Sequence, residues 1–431
     1  MIDRARLLLS VLWVCLSVSP CFAGLKSYID KPDDSYKYEI VQEHQIGSTE
    51  TRVVRLTSQT WNDRPWEHWM YLITPSEIQH LGKAILIIVG GTNDSGAGIP
   101  KLPKEAAIIA NAAQQLGVPV AVLGQVPNQP LFGNLKEDDL IAHSMTQYFV
   151  SGNDEDIALL PMVKSAVRAM DCVSDILQKH HNQRVDEFVV SGASKRGWTT
   201  YLTAAVDDRV IAAAPMVIDM LNFSEQMHKQ KLVYGEGLSP KITPYTSRGV
   251  IKQMQNEADH QLINLIDPYA YRHLLTMPKL LLLGTNDPFW TVNAANYYFD
   301  DLPGITYLCY AANAKHGLNL GVLPTLITFF KVAVSDLPLA KFGWQLHADG
   351  TTSLNWEDEK ATLILWQSTN PTLDYRHAKW TPTPLQGKNS LTVKLDKPAE
   401  GYLAYYVQAT FPSPLNIPYT LSTQITVLDA K

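Results

Sequence analysis

Phe188-Val189-Val190-Ser191-Gly192-Ala193-Ser194-Lys195-Arg196-Gly197-Trp198 is the stretch that decides the fold. The run Phe188 to Val190 has strand character, Lys195 to Val206 has helical character, and Gly192-Ala193-Ser194 lies between them. A serine on a tight strand-to-helix turn is held in a strained, exposed backbone conformation. Its hydroxyl projects from the end of the sheet, and the first amides of the following helix point at any oxyanion formed there. That is the pattern of a nucleophile elbow. The usual elbow carries its second glycine two residues after the serine; here Arg196 stands there and the glycine is Gly197. Alone, the string also suits a helix N-cap, because a serine oxygen satisfies an orphan amide.

Chain order separates the two readings. Leu280-Leu281-Leu282-Leu283-Gly284-Thr285-Asn286-Asp287-Pro288 reads as a buried strand running into a turn that carries an acid. Ile305 to Tyr310 reads as a further strand, followed by Ala314-Lys315-His316-Gly317 in a loop. Ser194, Asp287 and His316 thus follow the order nucleophile, acid, base, each after a predicted strand, as in an α/β-hydrolase. A serine hydroxyl is a poor nucleophile unless a base takes its proton during attack. Imidazole titrates near neutrality and suits His316 to that task. Asp287 would fix the tautomer and stabilise the imidazolium. The developing oxyanion needs preorganised amides. One is expected from Lys195, and a second from the loop after Ala84 to Val89, where Gly90-Gly91-Thr92-Asn93-Asp94 follows. Gly91 and Thr92 both remain open for that role.

The 431 residues carry a net charge of −6. Arg4 and Arg6 precede an apolar stretch from Leu7 to Val18, and Pro20-Cys21-Phe22-Ala23-Gly24 follows. A basic start, a short apolar run and small residues predict a secretory signal peptide over 1–23, hence an exported, periplasmic or secreted protein. Its removal takes two basic residues and one acidic one, moving the charge to about −7. There is no basic stripe to favour nucleic acid and no stable membrane span. HExxH, CxxC and phosphate-cradling glycine patterns are absent, so neither metal nor cofactor is expected. Cys172 and Cys309 survive the cut and are read as two buried thiols rather than a bridge, although export permits one.

Residues 24–340 predict the α/β-hydrolase domain. Its elements are strands at Ile40 to His44, Thr51 to Ser58 and Glu67 to Pro75, then a βαβ unit from Ala84 to Leu123. Gly124 to Asp156 reads as a polar excursion whose Glu137, Asp138 and Asp139 are solvated, and Pro161 to Gln178 as a helix. Residues 219–276, after the strand Val210 to Val217, are too long for a simple crossover and helical in pattern. They are expected to cap the site, the alternative being an insertion with no ligand role. Trp290 and Tyr234 are the substrate-binding candidates, with Met227, His228 and Tyr245 beside them. From 341 to 431 the texture changes to short period-2 runs, among them Gly343 to His347, Ala361 to Ser368, Arg376 to Trp380, Tyr402 to Phe411 and Tyr419 to Val427. They predict an all-β, immunoglobulin-like sandwich with no catalytic side chain.

Thr57-Ser58-Gln59-Thr60-Trp61, Trp66-Glu67-His68, Leu160-Pro161-Met162-Val163-Lys164-Ser165-Ala166 and the elbow string Gly192 to Trp198 have the look of a known family. With Gly284-Thr285-Asn286-Asp287 and Lys315-His316-Gly317, the chain resembles the PhoPQ-activated pathogenicity-related proteins. The resemblance implies an exported α/β-hydrolase-like protein connected with bacterial envelope regulation or virulence, and supplies no substrate. The elbow is also similar to that of glucuronoyl esterases, with Lys195 where those carry arginine; the likeness implies that the Lys195 charge aids the oxyanion, the alternative being surface salt bridging. Two functions are weighed: a serine hydrolase of small-molecule, peptide or glycan esters or amides, esterase or peptidase, and a non-catalytic binding or signalling protein on the same fold. An intact triad in the right order favours the hydrolase.

Overall fold

A computed structural model describes residues 20–93, 98–256 and 261–430. Asp94 and most of the expected signal peptide lie outside them. The chain opens with α1 (Pro20–Asp30), which runs across the expected cleavage point, and three antiparallel strands, β1 (Lys37–Ile46), β2 (Thr49–Trp61) and β3 (Arg64–Thr74). Asn62 and Asp63 turn β2 into β3 at φ 49° and 57°, the geometry of a two-residue hairpin. These strands outrun the expected Ile40 to His44 and Thr51 to Ser58. β2 is central and buried along nearly its whole length, so it lacks the alternation that marks a half-exposed strand.

Next come β4 (Lys83–Ile88), α2 (Ala106–Leu116), β5 (Val120–Leu123), α3 (Glu137–Ser151), α4 (Leu159–His181), β6 (Glu187–Ala193), α5 (Lys195–Val206) and β7 (Val210–Met216). A helical segment follows, with α6 (Phe223–Tyr234), α7 (Thr243–Thr246), α8 (Val250–Asn256) and α9 (Gln261–Ile266). β8 (Lys279–Gly284), β9 (Thr306–Ala311) and α10 (Leu323–Val334) complete the α/β part. The nine strands form one sheet in the order β1-β2-β3-β5-β4-β6-β7-β8-β9, parallel from β5 onward. Alternate residues of the parallel strands serve two cores. Leu86, Ile88 and Val190 join α4 and α5 on one face; Ile85 and Val189 join α2 and α10 on the other. Burial on both faces is why these strands read as unbroken apolar runs. Parallel strands with helices on both faces also gather the strand ends β4, β6, β8 and β9 at one rim, where a site forms.

The sheet-rich C-terminal part comprises β10 (Phe342–Leu346), β11 (Thr352–Trp356), β12 (Thr362–Asn370), β13 (Thr381–Leu385), β14 (Ser390–Val393), β15 (Tyr402–Phe411), β16 (Tyr419–Ser422) and β17 (Thr426–Asp429). One sheet runs β10-β11-β14; the other runs β13-β12-β15-β16, with β17 also on β15. Tyr419 to Val427 is two strands rather than one, and Arg376 to Trp380, expected as a strand, is a loop that turns toward the α/β part. This part also covers the edge strand β9: the Tyr310 amide donates to Ser422 Oγ (3.0 Å), and Cys309 Sγ lies 3.5 Å from Thr420 Oγ1. An uncovered edge would invite pairing with other chains. Cys172 and Cys309 are buried and unbridged. Among the described residues no helix is long and apolar enough to cross a membrane.

Candidate active site

Ser194 sits at the joint of β6 and α5 with φ 59° and ψ −127°. An L-residue is held there at a cost on the order of 1–3 kcal/mol. Its amide donates to the Met216 carbonyl (2.8 Å), and its carbonyl accepts from the Trp198 amide (3.0 Å), which pins the turn. The unusual glycine spacing has a steric cause. A Cβ at Gly197 would lie 2.8 Å from Ile218 Cγ2, 2.9 Å from the Met216 carbonyl oxygen and 3.0 Å from that of Gly192. Helix α5 therefore touches the strands at the third residue after the serine, and the second is free to carry Arg196.

His316 Nε2 lies 2.8 Å from Ser194 Oγ, and His316 Nδ1 lies 2.7 Å from Asp287 Oδ2. The second Asp287 oxygen accepts the Phe289 amide at 2.9 Å, so the buried carboxylate is satisfied at both oxygens. The Phe289 ring lies against the imidazole, with centroids 4.3 Å apart. The loops after β6, β8 and β9 thus bring the three sequence candidates into one hydrogen-bonded chain.

Those loops are tied to the C-terminal part. Asn286, next to the acid, donates to the carbonyls of Tyr375 (2.8 Å) and Ala378 (2.7 Å). Asn313, three residues before the base, donates to the Trp380 carbonyl (2.9 Å) and accepts the Trp380 amide (2.8 Å). The loop 375–380 therefore holds both the acid and the base loops through backbone groups.

Behind the serine, Arg196 donates through Nε to the Val126 carbonyl and through both terminal nitrogens to Glu137, each at 2.7 Å. Glu137 also meets Lys195 Nζ at 2.9 Å, and Lys195 meets Asp138 at 3.3 Å. The solvated reading of Glu137 and Asp138 is overturned, because the first turn of α3 lies over the elbow. Burial alone would raise the Glu137 carboxyl. The Arg196 hydrogen bonds and the charges of Arg196 and Lys195 outweigh it and hold that carboxyl at about 2. The Lys195 side chain is ion-paired inside the site rather than at the surface. A Cβ at Gly90 would come 2.6 Å from Arg196 Nη2, so the loop after β4 rests on the same guanidinium. In that loop the Gly91 carbonyl accepts Gln129 Nε2 at 2.9 Å, and the Thr92 carbonyl accepts Gln125 Nε2 at 3.5 Å. Gln125, Gln129, Glu137 and Arg196 form the support that the sequence did not announce; the acid run 137–139, read as part of a polar excursion, is the first turn of α3.

A pocket opens beside Ser194 and His316. Of the candidates, Trp290, Met227 and Tyr245 line it. Tyr234 does not. Its hydroxyl donates to the Trp290 carbonyl (2.7 Å), its ring lies under Arg376 (4.3 Å), and it borders a smaller polar pocket with Asp219 and Asp287. His228 is exposed on α6. Asp219 is buried, accepts the Tyr298 hydroxyl at 2.7 Å, and is pushed up to about 7 by that burial. Among the described residues no group of three or more His, Cys, Asp and Glu side chains is placed to hold a metal ion.

Comparison with known proteins places this architecture. A solved acetyl xylan esterase 1 from a Thermoanaerobacterium species superposes with a TM-score of 0.52 at 12% identity, covering 73% of this chain and 94% of its own. An acetyl xylan esterase from a Paenibacillus species gives 0.48 at 13% identity, covering 72% and 92%. The first likeness shows a shared α/β-hydrolase fold. Autocrine proliferation repressor protein A of Dictyostelium discoideum is 29% identical over 392 residues, covering 87% of this chain and 76% of that protein. The family model of the PhoPQ-activated pathogenicity-related protein matches residues 25–376. The chain belongs to the PhoPQ-activated pathogenicity-related protein family.

Proposed function

We propose that this protein is an exported serine hydrolase that cleaves a carboxylic ester or amide through Ser194, His316 and Asp287. One observation carries the reading: the unbroken chain from Ser194 Oγ to His316 Nε2 (2.8 Å) and from His316 Nδ1 to Asp287 (2.7 Å). It is joined to a serine held in strained geometry at a helix N-terminus. As Ser194 Oγ attacks the carbonyl carbon, its proton passes to His316 Nε2, and the Nδ1–H donates to Asp287, which stays ionised. The carbonyl oxygen becomes an oxyanion facing the Lys195 amide, one of the first helical N–H groups, which have no intrahelical acceptor. Gly91 or Thr92 supplies the second donor, while the Lys195 side chain, paired with Glu137 and Asp138, ties the elbow to the start of α3. Collapse breaks the bond to the alcohol or amine, which leaves with the proton from His316. Water then attacks the acyl-enzyme, gives its proton to the same nitrogen, and releases the acid and Ser194.

The helices of 219–276 act in this reading as a cap, since Phe223, Met227, Ile242 and Ile251 line the cavity at Ser194. The C-terminal sheets form a sandwich that braces the acid and base loops without contributing a reacting group. The basic, apolar N-terminus supports export, and family membership supports an envelope- or virulence-related setting. Turnover of p-nitrophenyl esters by wild type and Ser194→Ala tests the proposal: wild type cleaves and the variant does not. Equal turnover by both would overturn it.

A further inference from the structure

From the lining of the cavity at Ser194 we infer that the substrate carries an extended apolar acyl group, medium-chain or aryl, rather than a sugar acid or a bare acetyl; this rests on the serine-hydrolase reading above. The acyl group stays on Ser194 Oγ while the alcohol departs, so the cavity into which that oxygen opens must hold it. Its walls come from α3, α5 and the helices of 219–276, and they are almost wholly hydrocarbon and thioether. Met145, Met220, Met227 and Met254 contribute four flexible side chains that reshape around an apolar guest. Trp198 and Phe289 add aromatic faces.

Most polar groups of the wall are already engaged. Tyr245 donates to Asp138 at 3.0 Å, Asp138 pairs with Lys195 at 3.3 Å, and Trp198 Nε1 donates to the Ile266 carbonyl at 2.6 Å. Away from the triad, Trp290 Nε1 is a buried side-chain donor with no partner among the described residues. A sugar ring would bring several hydroxyls into this wall, where Trp290 Nε1 offers a single donor and the remaining hydroxyls lose water with nothing to replace it. An alkyl or aryl group loses no hydrogen bond there. Each buried methylene is worth roughly fourfold, so hexanoyl should exceed acetyl by on the order of 100-fold.

The test uses the full chain in two forms. With Ser194→Ala, equilibrium binding of p-nitrophenyl acetate, butyrate and hexanoate is followed by titration calorimetry, together with an acetylated xylo-oligosaccharide. With wild type, kcat/KM is measured over the same series. The expected result is binding that tightens with each added pair of methylenes, by on the order of 100-fold from acetate to hexanoate. Met227→Trp, which fills the cavity, should cut the hexanoate-to-acetate ratio at least about tenfold, and Ile251→Phe should act likewise if the first variant does not fold. A flat series, or tighter binding of the acetylated sugar than of hexanoate, overturns the inference while leaving the hydrolase reading intact if Ser194-dependent turnover persists. Graded binding without any turnover by wild type supports the apolar pocket and overturns the hydrolase reading.

Discussion

Replacing Glu137 by glutamine should destabilise the protein with a pH dependence of its own. The variant keeps the shape of the side chain and removes the charge that Arg196 and Lys195 share, two side chains only 10% and 8% exposed. Holding the carboxyl at about 2 against an ordinary 4.5 corresponds to at most about 3 kcal/mol. The Glu137 side chain is 40% exposed, so water screens part of that, and about 1–2 kcal/mol is expected at pH 7. A carboxyl depressed in the folded state contributes stability that is complete above its unfolded value and is lost as pH falls through its folded one. Urea unfolding of both proteins between pH 2 and pH 7 is the assay. The gap should hold from pH 7 down to about 4.5, shrink below that, and close near pH 2. A gap that stays flat across the acid range, or one below about 0.5 kcal/mol at pH 7, would refute the reasoning.

Three further changes follow from the same geometry. Asp287→Asn should lower kcat by roughly three to four orders of magnitude with the fold intact, because the amide favours the wrong imidazole tautomer; circular dichroism and ester turnover together check it. Asn286→Ala removes two hydrogen bonds to the loop 375–380 and should cost about 2–3 kcal/mol; by freeing the acid loop it should lower kcat more than it changes KM. Asp219→Asn should gain stability relative to wild type as pH rises from about 4 to about 7, levelling above that. A carboxyl raised by burial loses its contribution through that window and an amide does not; unfolding at pH 4.5 and pH 8 reads the difference, whose ceiling is about 4 kcal/mol.

The elbow, the parallel strands and the order of Ser194, Asp287 and His316 were legible because each rests on local signals: apolar runs, strand-to-helix turns and an acid or histidine after a strand. The helix predicted from Lys195 to Val206 has those bounds in the structure. What escaped is held by contacts distant in sequence. Glu137 pairs with residues 58 and 59 positions away, and an acid run in a polar stretch looks the same whether solvated or clamped by arginine. Arg376 to Trp380 alternates like a strand, yet its backbone is spent on Asn286 and Asn313 instead of a ladder. Tyr234 and Trp290 were equal candidates by composition. Only the packing of α6 separates them, turning the tyrosine toward Arg376 and leaving the tryptophan in the cavity wall.

If His316 activates Ser194, that serine reacts with electrophiles that leave other serines untouched. Intact-mass analysis and peptide mapping after treatment with a serine-directed fluorophosphonate test this activation most directly. One adduct per chain is expected, located on Ser194, absent from Ser194→Ala and formed far more slowly by His316→Ala. An unmodified wild-type protein, or an adduct that persists unchanged in Ser194→Ala, would contradict it.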